Sequence, residues 1–274
     1  MDLNWTYYNP NTPAERVLLV GPSLGGNAAH QWTKVAAELI DDARIVFVDL
    51  PGTGLGEVWD DADEPTLDTV AEAIAKVADE VRSDVGADVP VYFAGLSISG
   101  ATALHLARDY DKTFAAVAVV ASAATVGEPD RWIERAESVE ANGTQQLIDE
   151  TTKRWFTPAY RAQQPAVVEA IMEGLAAADD HSYAQLCRAL AEHNLVDDLP
   201  LIRIPVMVIA GERDTSTPIQ NVEYVVENVL RGVLRVVDGA AHMAPVSHPV
   251  EVAGHIRSLL ERPLASRVVS ESND

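Results

Sequence analysis

Val91-Tyr92-Phe93-Ala94-Gly95-Leu96-Ser97-Ile98-Ser99-Gly100 decides how this chain is read. The apolar run over residues 89–94 has the length of a buried strand, and Ala101-Thr102-Ala103-Leu104-His105-Leu106-Ala107 behind it has a helical pattern. A strand that passes straight into a helix through a serine places that serine on a strained turn, which needs small neighbours. Gly95 and Ser99 flank the turn, and Gly100 lets the helix approach the sheet closely. The hydroxyl then stands at a helix N-terminus, where developing negative charge is favoured. Ser97 is therefore the candidate nucleophile.

Two further polar residues stand in the same relation to a strand. Val206-Met207-Val208-Ile209-Ala210-Gly211 is followed by Glu212-Arg213-Asp214, and Val233-Leu234-Arg235-Val236-Val237 by Asp238-Gly239-Ala240-Ala241-His242. The chain order is thus serine, acid, histidine, which separates this arrangement from other serine-hydrolase orders. His242 is expected to take the Ser97 proton, and Asp214 to hold the imidazole tautomer and stabilise its cation. Asp238 is the nearest alternative acid, but it lies in the histidine's own loop. His248 stands before Pro249 and reads as a helix start. His30, His105, His181, His193 and His255 fall in helical patterns, and Asp49 at a strand end is expected to support loop geometry.

The rest of the chain alternates strands and helices, the pattern of a parallel sheet with helices on both faces. Residues 17–20, 45–48 and 117–120 read as strands, 28–39 and 66–81 as amphipathic helices. Thr217-Pro218 and His248-Pro249 are expected helix starts with proline at the first helical position. The alternation stops between 127 and 196, where helical segments alone are expected, over 130–141, 144–155, 165–175 and 182–193. The expected organisation is a core of residues 1–126 and 197–262, a helical cap over 127–196, and a disordered tail over 263–274.

Composition narrows the function classes. The 274 residues can bury a large core, and the net charge of -22 repels nucleic acid and anionic membrane surfaces. No apolar stretch reaches the roughly 18 residues of a membrane span. The N-terminal Met1-Asp2-Leu3-Asn4-Trp5 lacks a basic and apolar leader pattern, and the single cysteine, Cys187, can form no internal disulfide, so a cytoplasmic location is expected. Cys187 reads as a packed small residue. Gly52-Thr53-Gly54-Leu55-Gly56 lacks dinucleotide-loop spacing, and the phosphate-loop, C-x-x-C and H-E-x-x-H patterns are missing, so neither a metal nor a cofactor is expected.

Taken together, Ser23-Leu24-Gly25, Gly95-Leu96-Ser97, Arg154-Trp155-Phe156-Thr157-Pro158, Ile209-Ala210-Gly211-Glu212-Arg213-Asp214, Ala241-His242 and His248-Pro249 resemble the α/β-hydrolase superfamily. Within it they are most similar to the 3-oxoadipate enol-lactone hydrolase group, with the cap run 154–158 the most specific to that group. The chain departs from the group in carrying Ser99-Gly100 where two glycines are usual. It also carries Leu50-Pro51-Gly52-Thr53-Gly54 where an arginine-glycine-histidine turn is usual. The resemblance implies an ester or lactone hydrolase acting through an acyl-enzyme on a small molecule. It also implies an oxyanion hole from the backbone N–H groups of Leu24, after the first parallel strand, and Ile98, after the nucleophile. A general carboxylesterase and a non-catalytic ligand-binding protein of the same fold are the alternatives.

An enol-lactone with a free carboxylate would need a local cation in so acidic a chain. Trp132 and Arg135 are three apart and share a helix face, so a guanidinium beside an indole can bind a carboxylate bidentately. With Trp155 they are the candidate substrate-binding residues of the cap. The alternative is a surface Arg135 paired with Glu134 or Glu128, and a Trp132 that anchors the cap.

Overall fold

The computed structural model describes residues 1–261; the tail expected over 263–274 lies outside them. In chain order the elements are β1 (Trp5–Tyr7), β2 (Val17–Gly21), α1 (Ala28–Glu38), β3 (Arg44–Val48), α2 (Leu67–Val85), β4 (Val91–Leu96), α3 (Ile98–Asp109) and β5 (Phe114–Val120). There follow α4 (Pro129–Asn142), a 3-10 turn (Thr144–Leu147), α5 (Ile148–Trp155), α6 (Pro158–Gln163), α7 (Pro165–Ala176) and α8 (Asp180–Ala191). A second 3-10 turn (Leu199–Leu201), β6 (Val206–Gly211), α9 (Ile219–Asn228), β7 (Gly232–Val237), α10 (Ala244–Ser247) and α11 (Pro249–Glu261) complete the described residues.

The seven strands form one sheet in the order β1-β3-β2-β4-β5-β6-β7, parallel throughout except for β1. Strands β2 and β6 are buried along their whole length, because helices cover both faces and each strand can be apolar on both sides. Helices α2 and α3 pack together as one layer, and α1, α10 and α11 as the other. This is the architecture the resemblance implies. From β2 the chain passes to β3 on one side and then to β4 on the other, so the connections diverge at the carboxyl ends of β2 and β4. A crevice opens at such a reversal. Pro22-Ser23-Leu24 and Ser97 both lie there.

The five helices α4 to α8 are inserted between β5 and β6. Within the insertion α4 packs on α8 and α5 on α7, while α7 touches α1 and α8 touches α2 of the core. Among the described residues no helix is long and apolar enough to cross a membrane.

Several boundaries differ from the sequence reading for local reasons. The expected helix over 66–81 runs to Val85, with Thr66 as its cap accepting from the Thr69 N–H. The expected helix over 144–155 opens as a 3-10 turn before α5. Asp179 caps the start of α8 two residues earlier than expected, and the helix ends at Ala191, so that His193 lies beyond it. Pro218 is the cap of α9 rather than its first residue, whereas Pro249 does open α11. β1 and α6 are additional elements.

Cys187 is buried in α8, and burial pushes its thiol up to about 12. Two helix-pattern histidines, by contrast, meet across the fold. His105 Nδ1 lies 2.7 Å from Asp68, His105 Nε2 lies 3.0 Å from His193 Nδ1, and His193 Nε2 lies 2.9 Å from the Ala123 carbonyl. This link ties α2 and α3 to both chain passages of the insertion. Burial holds His193 down at about 4. The unfolded chain therefore binds a proton there that the folded chain refuses, so stability is full above about 6.5 and falls as pH drops towards 4. The loss expected from this group is about 3 kcal/mol. Denaturant unfolding at pH 7.5 and 4.5 measures it, and His193→Gln is expected to flatten the dependence. An unchanged slope in that variant would assign the acid sensitivity elsewhere.

Candidate active site

Ser97 joins β4 to α3 with φ 57° and ψ -114°, a conformation that side chains rarely adopt. The turn persists because its surroundings leave it no choice. The Ser97 N–H donates to the Val120 carbonyl at 2.8 Å, and a Cβ on Gly95 would lie 2.0 Å from the Ser99 carbonyl oxygen. A Cβ on Gly100 would lie 2.8 Å from the Ser122 Cβ, so the close approach of α3 to the sheet is as the sequence implies. Among the described residues Ser97 Oγ makes no hydrogen bond.

Asp214 follows β6. Its Oδ1 accepts from the Ser216 and Thr217 N–H groups at 2.8 and 3.3 Å, and its Oδ2 lies 2.8 Å from His242 Nδ1. The pair is buried, with side-chain exposures of 1% for Asp214 and 4% for His242. A carboxylate accepts, so Nδ1 carries the ring proton and Nε2 presents its lone pair. Trp155 stacks on the His242 ring with centroids 6.3 Å apart, and its carbonyl accepts from the Met243 N–H, so the insertion steadies the histidine loop.

The competing residues lie elsewhere. Asp238 is exposed and turned to Glu212, whose carboxyl the Gly239 N–H holds below the usual carboxylate range. His248 bonds Ser247 at the start of α11. Asp49 accepts from the Ala28 and Leu55 N–H groups, the loop-supporting role read from sequence.

Ser97 and His242 open on one cavity of about 370 Å³, which Leu24, Trp132, Arg135 and Trp155 also line. Ile98 is buried behind it as the first residue of α3, where a backbone N–H has no intrahelical acceptor. The Leu24 N–H likewise has no partner among the described residues. Trp132 does both things its sequence context allowed: its indole N–H donates to the Val126 carbonyl and it walls the cavity. Arg135 lies between the Trp132 and Tyr183 rings, 5.6 Å from each centroid, and forms no ion pair with Glu134 or Glu128. Its buried Nε has no hydrogen-bond partner.

Arg131, Arg154 and Tyr183 are among the lining residues that the sequence reading missed. Arg154 stood beside Trp155 in the run 154–158, which was the available signal; Tyr183 carried none. The wall holds three arginines against one acid, Glu128, in a chain of net charge -22. Among the described residues no group of three or more His, Cys, Asp or Glu could hold a metal ion.

A model of the alpha/beta hydrolase family matches residues 17–255. Two curated relatives from Acinetobacter baylyi are similar over most of their length. 3-oxoadipate enol-lactonase 1 is 29% identical over 239 residues, covering 87% of this chain and 86% of that protein. 3-oxoadipate enol-lactonase 2 is 28% identical over 258 residues, covering 94% and 92%. Among solved structures, the enol-lactonase of Burkholderia xenovorans superposes with a TM-score of 0.87 at 23% identity, over 95% of this chain and 96% of that one. A malate-bound thermophilic esterase from Thermogutta terrifontis gives 0.84 at 22% identity, over 94% and 92%. At such identities the superpositions speak to the fold. The family match covers most of the chain: it belongs to the alpha/beta hydrolase family.

Proposed function

We propose that the protein is a serine hydrolase of carboxylic esters or lactones that acts through an acyl-enzyme, with 3-oxoadipate enol-lactone the leading substrate. One observation carries the reading: a serine on a strained strand-to-helix turn opens on the same cavity as a histidine whose far nitrogen is bonded to a buried aspartate. His242 Nε2 takes the proton as Ser97 Oγ attacks the carbonyl, and Asp214 stabilises the imidazolium. The oxyanion is received by the Leu24 and Ile98 N–H groups. His242 returns the proton to the leaving oxygen, then activates the water that releases the acyl group. For a lactone, leaving group and acyl group stay joined and depart as one hydroxy acid or its keto form. The curated enol-lactonase relatives support the substrate class.

The three arginines of the wall support a substrate bearing a carboxylate, with Arg135 its partner and Trp132 and Trp155 the apolar walls. A charge-assisted bond of about 1.5–3 kcal/mol corresponds to a rise in KM of about 10- to 100-fold in Arg135→Ala. That rise is expected for 3-oxoadipate enol-lactone and not for a neutral p-nitrophenyl ester of similar size. Equal effects on both substrates would leave Arg135 a structural role. The substrate class itself is tested by comparing kcat/KM across a panel of lactones and esters; a clear preference for neutral esters would favour the general carboxylesterase reading.

A further inference from the structure

Ser99 stands where the resembling group carries glycine, and its side chain is fully buried at 0% exposure. Its hydroxyl donates to the Pro22 carbonyl at 2.6 Å, across 77 positions of sequence. Pro22 begins the loop that presents Leu24, and Ser99 is the neighbour of Ile98. One side-chain bond thus joins the two backbone segments that carry the proposed oxyanion donors. The same loop is held from two other sides. Trp32 Nε1 donates to the Gly21 carbonyl at 2.9 Å. Gln31 brackets Ser23, accepting from its N–H at 2.8 Å and donating to its Oγ at 2.7 Å. These bonds fix the backbone over residues 21–23, directly ahead of Leu24, and leave the Leu24 N–H unengaged.

Gly21 shows that the contact is fitted. A Cβ there would lie 2.6 Å from Ser99 Oγ and 2.8 Å from Ser99 Cβ, so the hydroxyl fills room that the glycine opens. A glycine at 99 would leave both that room and the Pro22 carbonyl without a partner from this side chain.

We propose that Ser99 is a positioning residue: its bond to Pro22 sets the separation of the Leu24 and Ile98 N–H groups, and so how tightly they hold a tetrahedral oxyanion. The proposal rests on the serine-hydrolase reading above. Such donors act only when held within about 0.5 Å of their working geometry, and outright loss of one costs about 10²- to 10³-fold in kcat. A donor that is displaced rather than lost forfeits part of that.

The test compares Ser99→Ala, which keeps the Cβ and deletes the donor, with Ser99→Gly, which restores the residue usual in the group. On a p-nitrophenyl ester both are expected to lower kcat about 10- to 100-fold with KM changed by less than about twofold. Affinity for a boronic acid, which forms a tetrahedral adduct on the nucleophile, falls by the same factor. Affinity for an unreactive trigonal amide of the same shape does not. A packing role would instead leave Ser99→Ala like the wild type and lower the thermal midpoint of Ser99→Gly alone. Wild-type kcat and boronate affinity in Ser99→Ala overturn the proposal while leaving the hydrolase reading intact. Ester turnover and boronate binding that persist in Ser97→Ala overturn both.

Discussion

Ser97→Ala is expected to lower kcat on the order of 10⁶-fold while the protein folds as before. Alanine keeps the Cβ that serine already carries at φ 57°, so the strained turn is no harder to form. Ser97 Oγ makes no hydrogen bond among the described residues, so its removal orphans no partner. The loss falls on the chemistry alone, because no other group replaces the oxygen that attacks the carbonyl. Turnover of 3-oxoadipate enol-lactone and of a p-nitrophenyl ester, with the thermal midpoint as the folding control, measures the effect. Activity within tenfold of the wild type would remove Ser97 from the mechanism.

Asp214→Asn is the second large effect, on the order of 10⁴-fold in kcat by the serine-protease precedent. The reason lies in which atoms the site holds. Oδ1 accepts from the Ser216 and Thr217 N–H groups, so an asparagine keeps its oxygen there and turns its amide nitrogen to His242. That nitrogen donates, His242 Nδ1 must accept, and the ring proton moves to Nε2. The base then faces Ser97 already protonated. Folding is retained because both backbone bonds persist. Asp238→Asn is the control: an exposed side chain turned to Glu212 has no path to His242, so its variant keeps full turnover. A larger loss in Asp238→Asn than in Asp214→Asn would mean that the acid has been misassigned.

What the sequence made readable follows from how a parallel sheet is built. Strands buried on both faces are continuous apolar runs that end abruptly in short polar loops, so Ser97 and Asp214 stood out at strand ends. His242 follows the half-buried edge strand β7, whose run over 233–237 is still mostly apolar. β1 had no such signal. Trp5-Thr6-Tyr7 is three residues at the sheet edge, and its pairing with residues 46–48 is set by β3 rather than by its own pattern. α6 began with Thr157-Pro158, a cap followed by proline, but it buries no residue and so has no apolar stripe to read.

Side-chain meetings across the fold were less legible still. Trp132 and Arg135 share a face by helical spacing alone, whereas Tyr183 reaches Arg135 because α4 packs on α8. His105 and His193 are 88 positions apart, and their contact depends on α8 stopping at Ala191, two residues before His193. The departure at Ser99 was visible as a residue, but its partner, the Pro22 carbonyl, was not.

Ser97 is expected to be the residue that forms the covalent intermediate, and trapping its oxygen reads this directly. The protein is incubated with a fluorophosphonate, its intact mass recorded, and the modified peptide sequenced. One adduct per chain is expected, carried on Ser97, with none in Ser97→Ala and much slower formation in Asp214→Asn. An adduct on another residue, or equal labelling of Ser97→Ala, would place the nucleophile elsewhere.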